Sequence, residues 1–240
     1  MKKRKIRALA ACILLLATAG ALLVLVHLPE PAEPVPPLSD AAKPFAVAGN
    51  TVVFGTYEQD GEPGPDPIEW VVAETRGGKS LLVSRWGLDA MPYNDRLAEV
   101  TWESCSLRKW MNDAFLETAF TDAERQAILL SHVDNSKAQG YKGRDGGPDT
   151  QDRLFLLSYA EVWKYFPTRQ EKKSRPTEYA RTRGAFRNYM SQEGWWWLRS
   201  PGREPSYAMC VNYVGTFYHN HVHNDYDFVR PAMWVDLTKL

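Results

Sequence analysis

The stretch IEWVVAETRGGKSLLVS, residues 68–84, decides the fold class. Two apolar, β-rich runs, 68–73 and 80–84, flank Arg76, Gly77, Gly78 and Lys79. Paired glycines between such runs signal a tight β-hairpin turn. Upstream, residues 50–54 read as a further strand, and 58–67 as a Pro/Gly/Asp-rich turn. Downstream the hydrophobic period lengthens. Leu107, Trp110, Met111, Ala114 and Phe115 fall at i, i+3, i+4, i+7 and i+8, one face of an amphipathic helix. Thr121 and Glu124 form a capping box that opens a second helix, expected to run through Leu130. Residues 154–157 predict a short buried strand. Ser158 and Glu161 cap a third helix that carries Val162, Trp163 and Phe166 and stops before Pro167. Residues 140–150 form a polar, Gly-rich loop. From Trp195 the β pattern returns over 195–199, 208–212, 216–223 and 229–237. Strands at both ends with helices between them predict an α+β domain whose terminal strands pair with each other.

Outward from the domain, the N-terminus carries a different signal. Residues 8–26 are uncharged and almost wholly apolar, and at about 1.5 Å per residue they match a bilayer's hydrocarbon core. Lys2, Lys3, Arg4, Lys5 and Arg7 precede them, so the positive-inside rule leaves the N-terminus in the cytoplasm and the rest outside. Residues 1–27 therefore read as a basic cluster and transmembrane signal-anchor of a single-pass cell-membrane protein. An A-x-A-like site at Ala17 and Ala19 keeps a cleaved signal peptide as the alternative, and a lipoprotein-like box ending at Cys12 is a further one. Residues 28–45 are a Pro-rich stalk, with six prolines between Pro29 and Pro44; such chain is extended and polyproline-like. The domain follows over 46–240. Beyond the basic cluster, 24 basic residues face 29 acidic ones, a net charge of −5. That balance excludes phosphate-backbone binding, so no nucleic-acid partner is expected. Cys105 and Cys210 read as two buried small hydrophobes, with a disulfide between them as the alternative.

The densest polar signal lies just before the last strand. Between Asn212 and Phe228, eleven of seventeen residues are Asn, Tyr, His or Asp: Asn212, Tyr213, Tyr218, His219, Asn220, His221, His223, Asn224, Asp225, Tyr226 and Asp227. Val211, Val214, Gly215, Val222, Val229 and Pro231 stand between them as a scaffold. Tyrosine offers broad contact area with few rotors, and the other three offer adaptable hydrogen bonds, as a recognition surface requires. With Phe217, these residues form the expected ligand-binding set. Two other readings compete: an ordinary polar loop, and a metal site on His219, His221 and His223, whose rings share one strand face. Val222 is the natural inward residue, which turns the histidines outward without supporting partners, so no metal or other cofactor is expected. Asp225 and Asp227 read as exposed carboxylates with ordinary pKa values. Trp195, Trp196 and Trp197 read as core rather than as a stacking platform. Arg199 and Arg230 read as structural, each holding a buried carboxylate or backbone carbonyls.

The ordered motifs FGTYEQD (54–60), IEWV (68–71), LLVS (81–84), TWESCSLRKWMN (101–112), AFTDAE (119–124), FLLS (155–158), WWLRSPG (196–202) and VRPAMW (229–234) are similar to those of a large family of bacterial and gut-microbial surface domains of unknown function. The resemblance covers residues 48–237. It implies a C-type-lectin-like fold, related to formylglycine-generating-enzyme-like domains. Some relatives are targets of diversity-generating retroelements, which turn Asn codons into Tyr, His, Asp and others. The four enriched residue types share one codon family, differing at the first base. The resemblance thus implies a non-catalytic, extracellular recognition domain, its partner a protein or glycan. The alternatives are an oxidase relative, whose copper chemistry needs a close cysteine pair, and a purely structural envelope domain. No Ser-His-Asp order, H-E-x-x-H, phosphate loop or nucleotide fingerprint is present, so catalysis is not expected.

Overall fold

The computed structural model describes residues 49–239. The expected membrane span at residues 8–26, the stalk at 28–45 and the domain's start at residue 46 lie outside them. Among the described residues no helix is long and apolar enough to cross a membrane.

The hairpin forms as its glycines dictate. β2 (Asp66–Arg76) turns into β3 (Lys79–Ser84) through Gly77 and Gly78, both at positive φ (56° and 77°). Alternate residues Ile68, Trp70 and Val72 of β2 point into the core. β1 (Thr51–Tyr57) lies antiparallel to β2. β11 (Ala232–Val235) lies antiparallel to β3, Trp234 opposite Leu81. The sheet order is β1-β2-β3-β11, so the first and last strands of the described residues share one sheet. The expected direct pairing of the terminal strands does not occur: β2 already fills the inner side of β1, and β3 offers the free side that β11 takes.

A second sheet carries β4 (Asp89–Ala90), β7 (Trp196–Pro201), β8 (Tyr207–Val211), β9 (Phe217–His221) and β10 (Phe228–Val229) in the order β4-β10-β7-β8-β9. A ribbon of β5 (Ser131–Val133) and β6 (Thr150–Asp152) stands apart. Register shifts in β1–β2, β2–β3 and β7–β8 curl the sheets. Trp196 and Trp197 point to opposite faces of β7, near the middle of its sheet, and both are fully buried; Trp195 is only half-buried.

The helices are short: α1 (Ser106–Trp110) and α2 (Leu116–Ala119), joined by a π turn over Met111–Phe115, then α3 (Asp122–Ala127), α4 (Tyr159–Tyr165), α5 (Arg169–Lys172) and α6 (Glu178–Thr182). The expected stripe holds through Leu107, Met111 and Phe115, then slips: Ala114 is exposed and Leu116 is buried. A wide π turn inserts a residue and so rotates the downstream side chains by about 100°. α3 stops three residues short of Leu130, because Ile128 turns extended and bridges Val235. The capping boxes at Thr121/Glu124 and Ser158/Glu161 form as read, and Thr168/Glu171 adds a third. Residues 154–157 are buried but make only an isolated bridge, Phe155 to Ala232, instead of a strand.

The two arginines are internal anchors. Arg199 pairs with the Glu161 carboxylate and donates to the carbonyls of Leu156 (2.8 Å) and Asp134 (2.9 Å). Arg230 donates to the Ser84 carbonyl at 2.7 Å and lies between the rings of Phe166 and Trp196. Burial pushes its pKa down to about 9. Cys105 and Cys210 are buried free thiols, so the disulfide alternative is not realised.

Candidate recognition surface

The expected site residues lie on the β8–β9 hairpin and the loop that follows it. The turn between the strands is fixed by two residues. The Asn212 Oδ1 accepts from the N–H groups of Val214 (3.1 Å) and Thr216 (3.0 Å). Gly215 has φ +77°, and a Cβ there would sit 2.0 Å from the Arg169 carbonyl oxygen. β8 and β9 then pair without a register shift, from Tyr207 opposite His221 to Val211 opposite Phe217. β9 is the last strand of its sheet.

On one face of β9 an aromatic cluster gathers around Trp195. Tyr218 meets Trp195 edge-on at 5.2 Å between ring centroids, Tyr226 meets it at 6.4 Å and Tyr213 at 6.5 Å. Phe186 extends the cluster from Tyr213, 5.9 Å away. These separations are ordinary for aromatic pairs. Tyr218 is 52% exposed, Tyr226 42% and Phe186 38%. Burial and the neighbouring Asp227 raise the Tyr226 pKa, so its hydroxyl stays protonated.

The opposite face carries a second aromatic row with cations. Phe217 packs on Tyr159 (4.6 Å) and Trp163 (5.5 Å), Tyr141 on Tyr159 (5.4 Å), and His219 on Tyr141 (5.6 Å). The Lys172 ammonium sits 3.9 Å above the Trp163 ring and donates to the Pro167 carbonyl at 3.0 Å. His221 stacks on Tyr207 at 4.0 Å, with a 2.7 Å bond between the Tyr207 hydroxyl and its Nε2; His223 lies 5.6 Å beyond. Burial lowers the His219 pKa, and Arg203, Arg144 and Lys142 lower it further. Among the described residues, no three His, Cys, Asp or Glu side chains are placed to hold one metal ion.

Three expected contact residues do other work. Asn212 holds the turn. Asn220 and Asp227 are inside, at 7% and 0% exposure. The Asn220 amide donates to both Asp227 oxygens (3.1 and 2.8 Å), and the Asn224 amide approaches at 3.5 Å. The expected ordinary pKa is overturned: burial pushes the Asp227 carboxyl up to about 7, against hydrogen bonds from Asn220 and Cys210. The period of two carries the signal for Asn220, since it shares its strand face with the inward Val222. Asp225 is exposed, as expected. The rings of Tyr141, Tyr159, Trp163, Phe186, Trp195 and Tyr207 complete the surface from outside the polar segment. No local pattern marks them, because the fold alone brings them to β9.

A concavity of about 740 Å³ lies elsewhere, lined in part by Asn94, Glu99, Cys105, Arg108 and Asp152. It is open and polar, and its buried carboxylate, Asp152, is engaged. Arg108 pairs with Asp152 at 2.7 Å, and Asp152 also accepts from Trp102 (2.9 Å) and Thr150 (2.6 Å). Burial pushes the Cys105 thiol up to about 12 and the Cys210 thiol well above its usual value. Cys105 bonds to the Trp102 carbonyl and the Arg108 N–H, whereas Cys210 bonds to Asp227. Both thiols are protonated at neutral pH, and nucleophilic or metal-binding sulfur chemistry needs the thiolate. A family model described as a domain of unknown function (DUF6273) matches residues 77–237. No curated protein and no solved structure matches the chain.

Proposed function

The chain belongs to the DUF6273 family, and from that premise we propose that its domain is a non-catalytic recognition module that binds an extracellular ligand through the β9 surface. The carrying observation is the aromatic cluster around Trp195, with Tyr218 and Tyr226 about half exposed. Large rings left half in water beside one another are characteristic of contact surfaces, where they supply area with few rotors to freeze. A purely architectural domain has no use for such a patch. Behind it the buried Trp196, Trp197, Arg199 and Asp227 hold the backbone, so exposed rings can change without disturbing the core.

In this reading the basic cluster and apolar run of residues 1–27 anchor the protein in the cell membrane, the Pro-rich stalk lifts the domain off it, and the fold is C-type-lectin-like. The shared sheet of the first and last described strands and the curl of the sheets support that fold. The concentration of Asn, Tyr, His and Asp codons over residues 212–228 supports diversification by a retroelement. A near-copy of that coding segment beside the gene, differing only at adenines, is the expected genomic signature.

The test uses the full chain in detergent. Replacing Tyr213, Tyr218 and Tyr226 together by Ser is expected to abolish binding to hits from glycan arrays and displayed peptides, while lowering stability by under about 1 kcal/mol. Trp196→Ala, which empties the core, is expected to cost about 3–5 kcal/mol. A triple variant that melts as low as Trp196→Ala overturns the reading, because the rings would then be structural.

A further inference from the structure

We infer that β9 is open to strand addition: it takes an extended polypeptide segment of a partner, acidic on the side facing Lys142, Arg144 and Arg203 and apolar on the side facing Trp195. This rests on the proposed recognition role and names the class of ligand for that surface.

The first argument is how the other sheet edges are closed. β1 is irregular between Val53 and Thr56, and the Gly55 N–H there is taken by the Glu124 carboxylate at 3.0 Å. The outer edge of β11 is bridged by Ile128 and Phe155, and the Leu129 N–H donates to the Trp234 carbonyl at 2.8 Å. β4 has two residues, and β5 and β6 have three each. β9 has five residues, FYHNH, with no Pro, no Lys and no bulge. Among the described residues it has no second neighbour strand. Short strands, bulges, lysines, prolines and covering segments are how natural sheets protect an edge. β9 carries none of them.

The second argument is which groups face outward. The Asn212 N–H donates to the Thr216 carbonyl, and the Val222 N–H to the Ser206 carbonyl. Antiparallel pairs alternate, so the even-numbered residues of β9 bond to β8. The N–H and C=O of Phe217 and His219 therefore point out of the sheet, with the N–H of His221. A strand laid there alternates its side chains between the two faces. One set meets Tyr218 and Trp195; the other meets Phe217, Tyr141 and the three cations around His219.

Charge chooses the occupant. A second copy paired edge to edge in a continuous sheet would keep the same face up, bringing its own Lys142, Arg144 and Arg203 beside the first set. Like charges there repel, whereas acidic side chains on a partner strand are attracted. A glycan has no repeating N–H and C=O pairs to complete the ladder. Strand addition uses both features, main-chain bonds for affinity and alternate side chains for specificity.

The experiment selects from a pool of random ten-residue peptides on the full chain. Retained sequences are expected to alternate Asp or Glu with apolar residues. A selected peptide with backbone N-methyl groups on the alternate residues facing β9 is expected to bind at least tenfold more weakly, and one methylated on the other residues within threefold of the parent. His219→Pro removes an outward N–H, where proline is tolerated, and is expected to bind at least tenfold more weakly than His219→Ala, which loses the same side chain but keeps the N–H. No retained peptide, an unpatterned pool, or indifference to N-methylation overturns the proposal. So does a dimer that His219→Pro converts to monomer, which would make the occupant a second copy. Glycan hits lost in the tyrosine triple variant, with no peptide retained, would sink strand addition and leave the recognition reading standing.

Discussion

Asp227 shows how one side chain can belong to a site's composition and not to its contact surface. Its carboxyl is buried beside Cys210 and Asn220, and burial pushes its pKa up to about 7. The folded protein thus holds this proton more tightly than the unfolded chain, whose carboxyl titrates near 3.8. The stability it contributes is full below about pH 4 and is lost as pH rises through about 7. Between pH 5 and 7.5 the loss is about 2–3 kcal/mol. Asp227→Asn removes the titration, so wild-type stability minus variant stability, read from urea denaturation, is expected to fall by that amount across this interval. An unchanged difference would place the carboxylate in water. The sequence could not separate Asp227 from Asp225, because composition counts polar atoms without saying which way a loop turns them. Tyr218 shares its strand face with the buried Val222, so the period of two does not by itself place it on the surface, where the structure leaves it 52% exposed.

At the scale of elements, capping chemistry was the most legible feature. Thr121, Ser158 and Thr168 each accept from the N–H three residues on, and the Glu there reaches back to the cap. Such signals act within one turn and need no distant partner. Periodicity was less dependable, because Met111–Phe115 forms a π turn. The expected stripe gives Ala114 a place in the core that Leu116 occupies. Leu116→Ala is therefore expected to cost about 2–4 kcal/mol, and Ala114→Ser under about 0.5 kcal/mol, by chemical denaturation. Equal costs would mean a regular α-helix through the segment. The same limit shortened α3, where Ile128 leaves the helix to meet Val235: a tertiary contact outweighed a run of apolar residues with good helix propensity.

At the scale of the molecule, the longer strands β1, β2, β3, β7, β8, β9 and β11 were legible, whereas the short β4, β5 and β6 were not, and beyond the β2–β3 hairpin the partners were not, because pairing joins residues far apart in sequence. The link between β3 and β11 is the clearest case, with Leu82 opposite Met233. β11 is covered on its other side by Ile128 and Phe155, and its Ala232, Met233 and Val235 are fully buried. Deleting residues 231–240 removes this strand from the middle of the structure. Burial of each large apolar side chain is worth about 1.5–3 kcal/mol, against a total stability of about 5–15 kcal/mol. The shortened chain is expected to show no cooperative thermal transition by near-UV circular dichroism, and a sharp melt would mean that the rest is self-sufficient. The surface was half legible for the same reason: its tyrosines sit in one segment, while Trp163 and Phe186 arrive from elsewhere. The bend that presents those tyrosines is shaped from behind, by the Asn212 amide and by Gly215 wedged against the Arg169 carbonyl. Shape and selectivity are therefore inherited on separate residues. A lineage can drift through many rings at Tyr213 and Tyr218 and pass on the same loop each time, as long as those two small anchors stay.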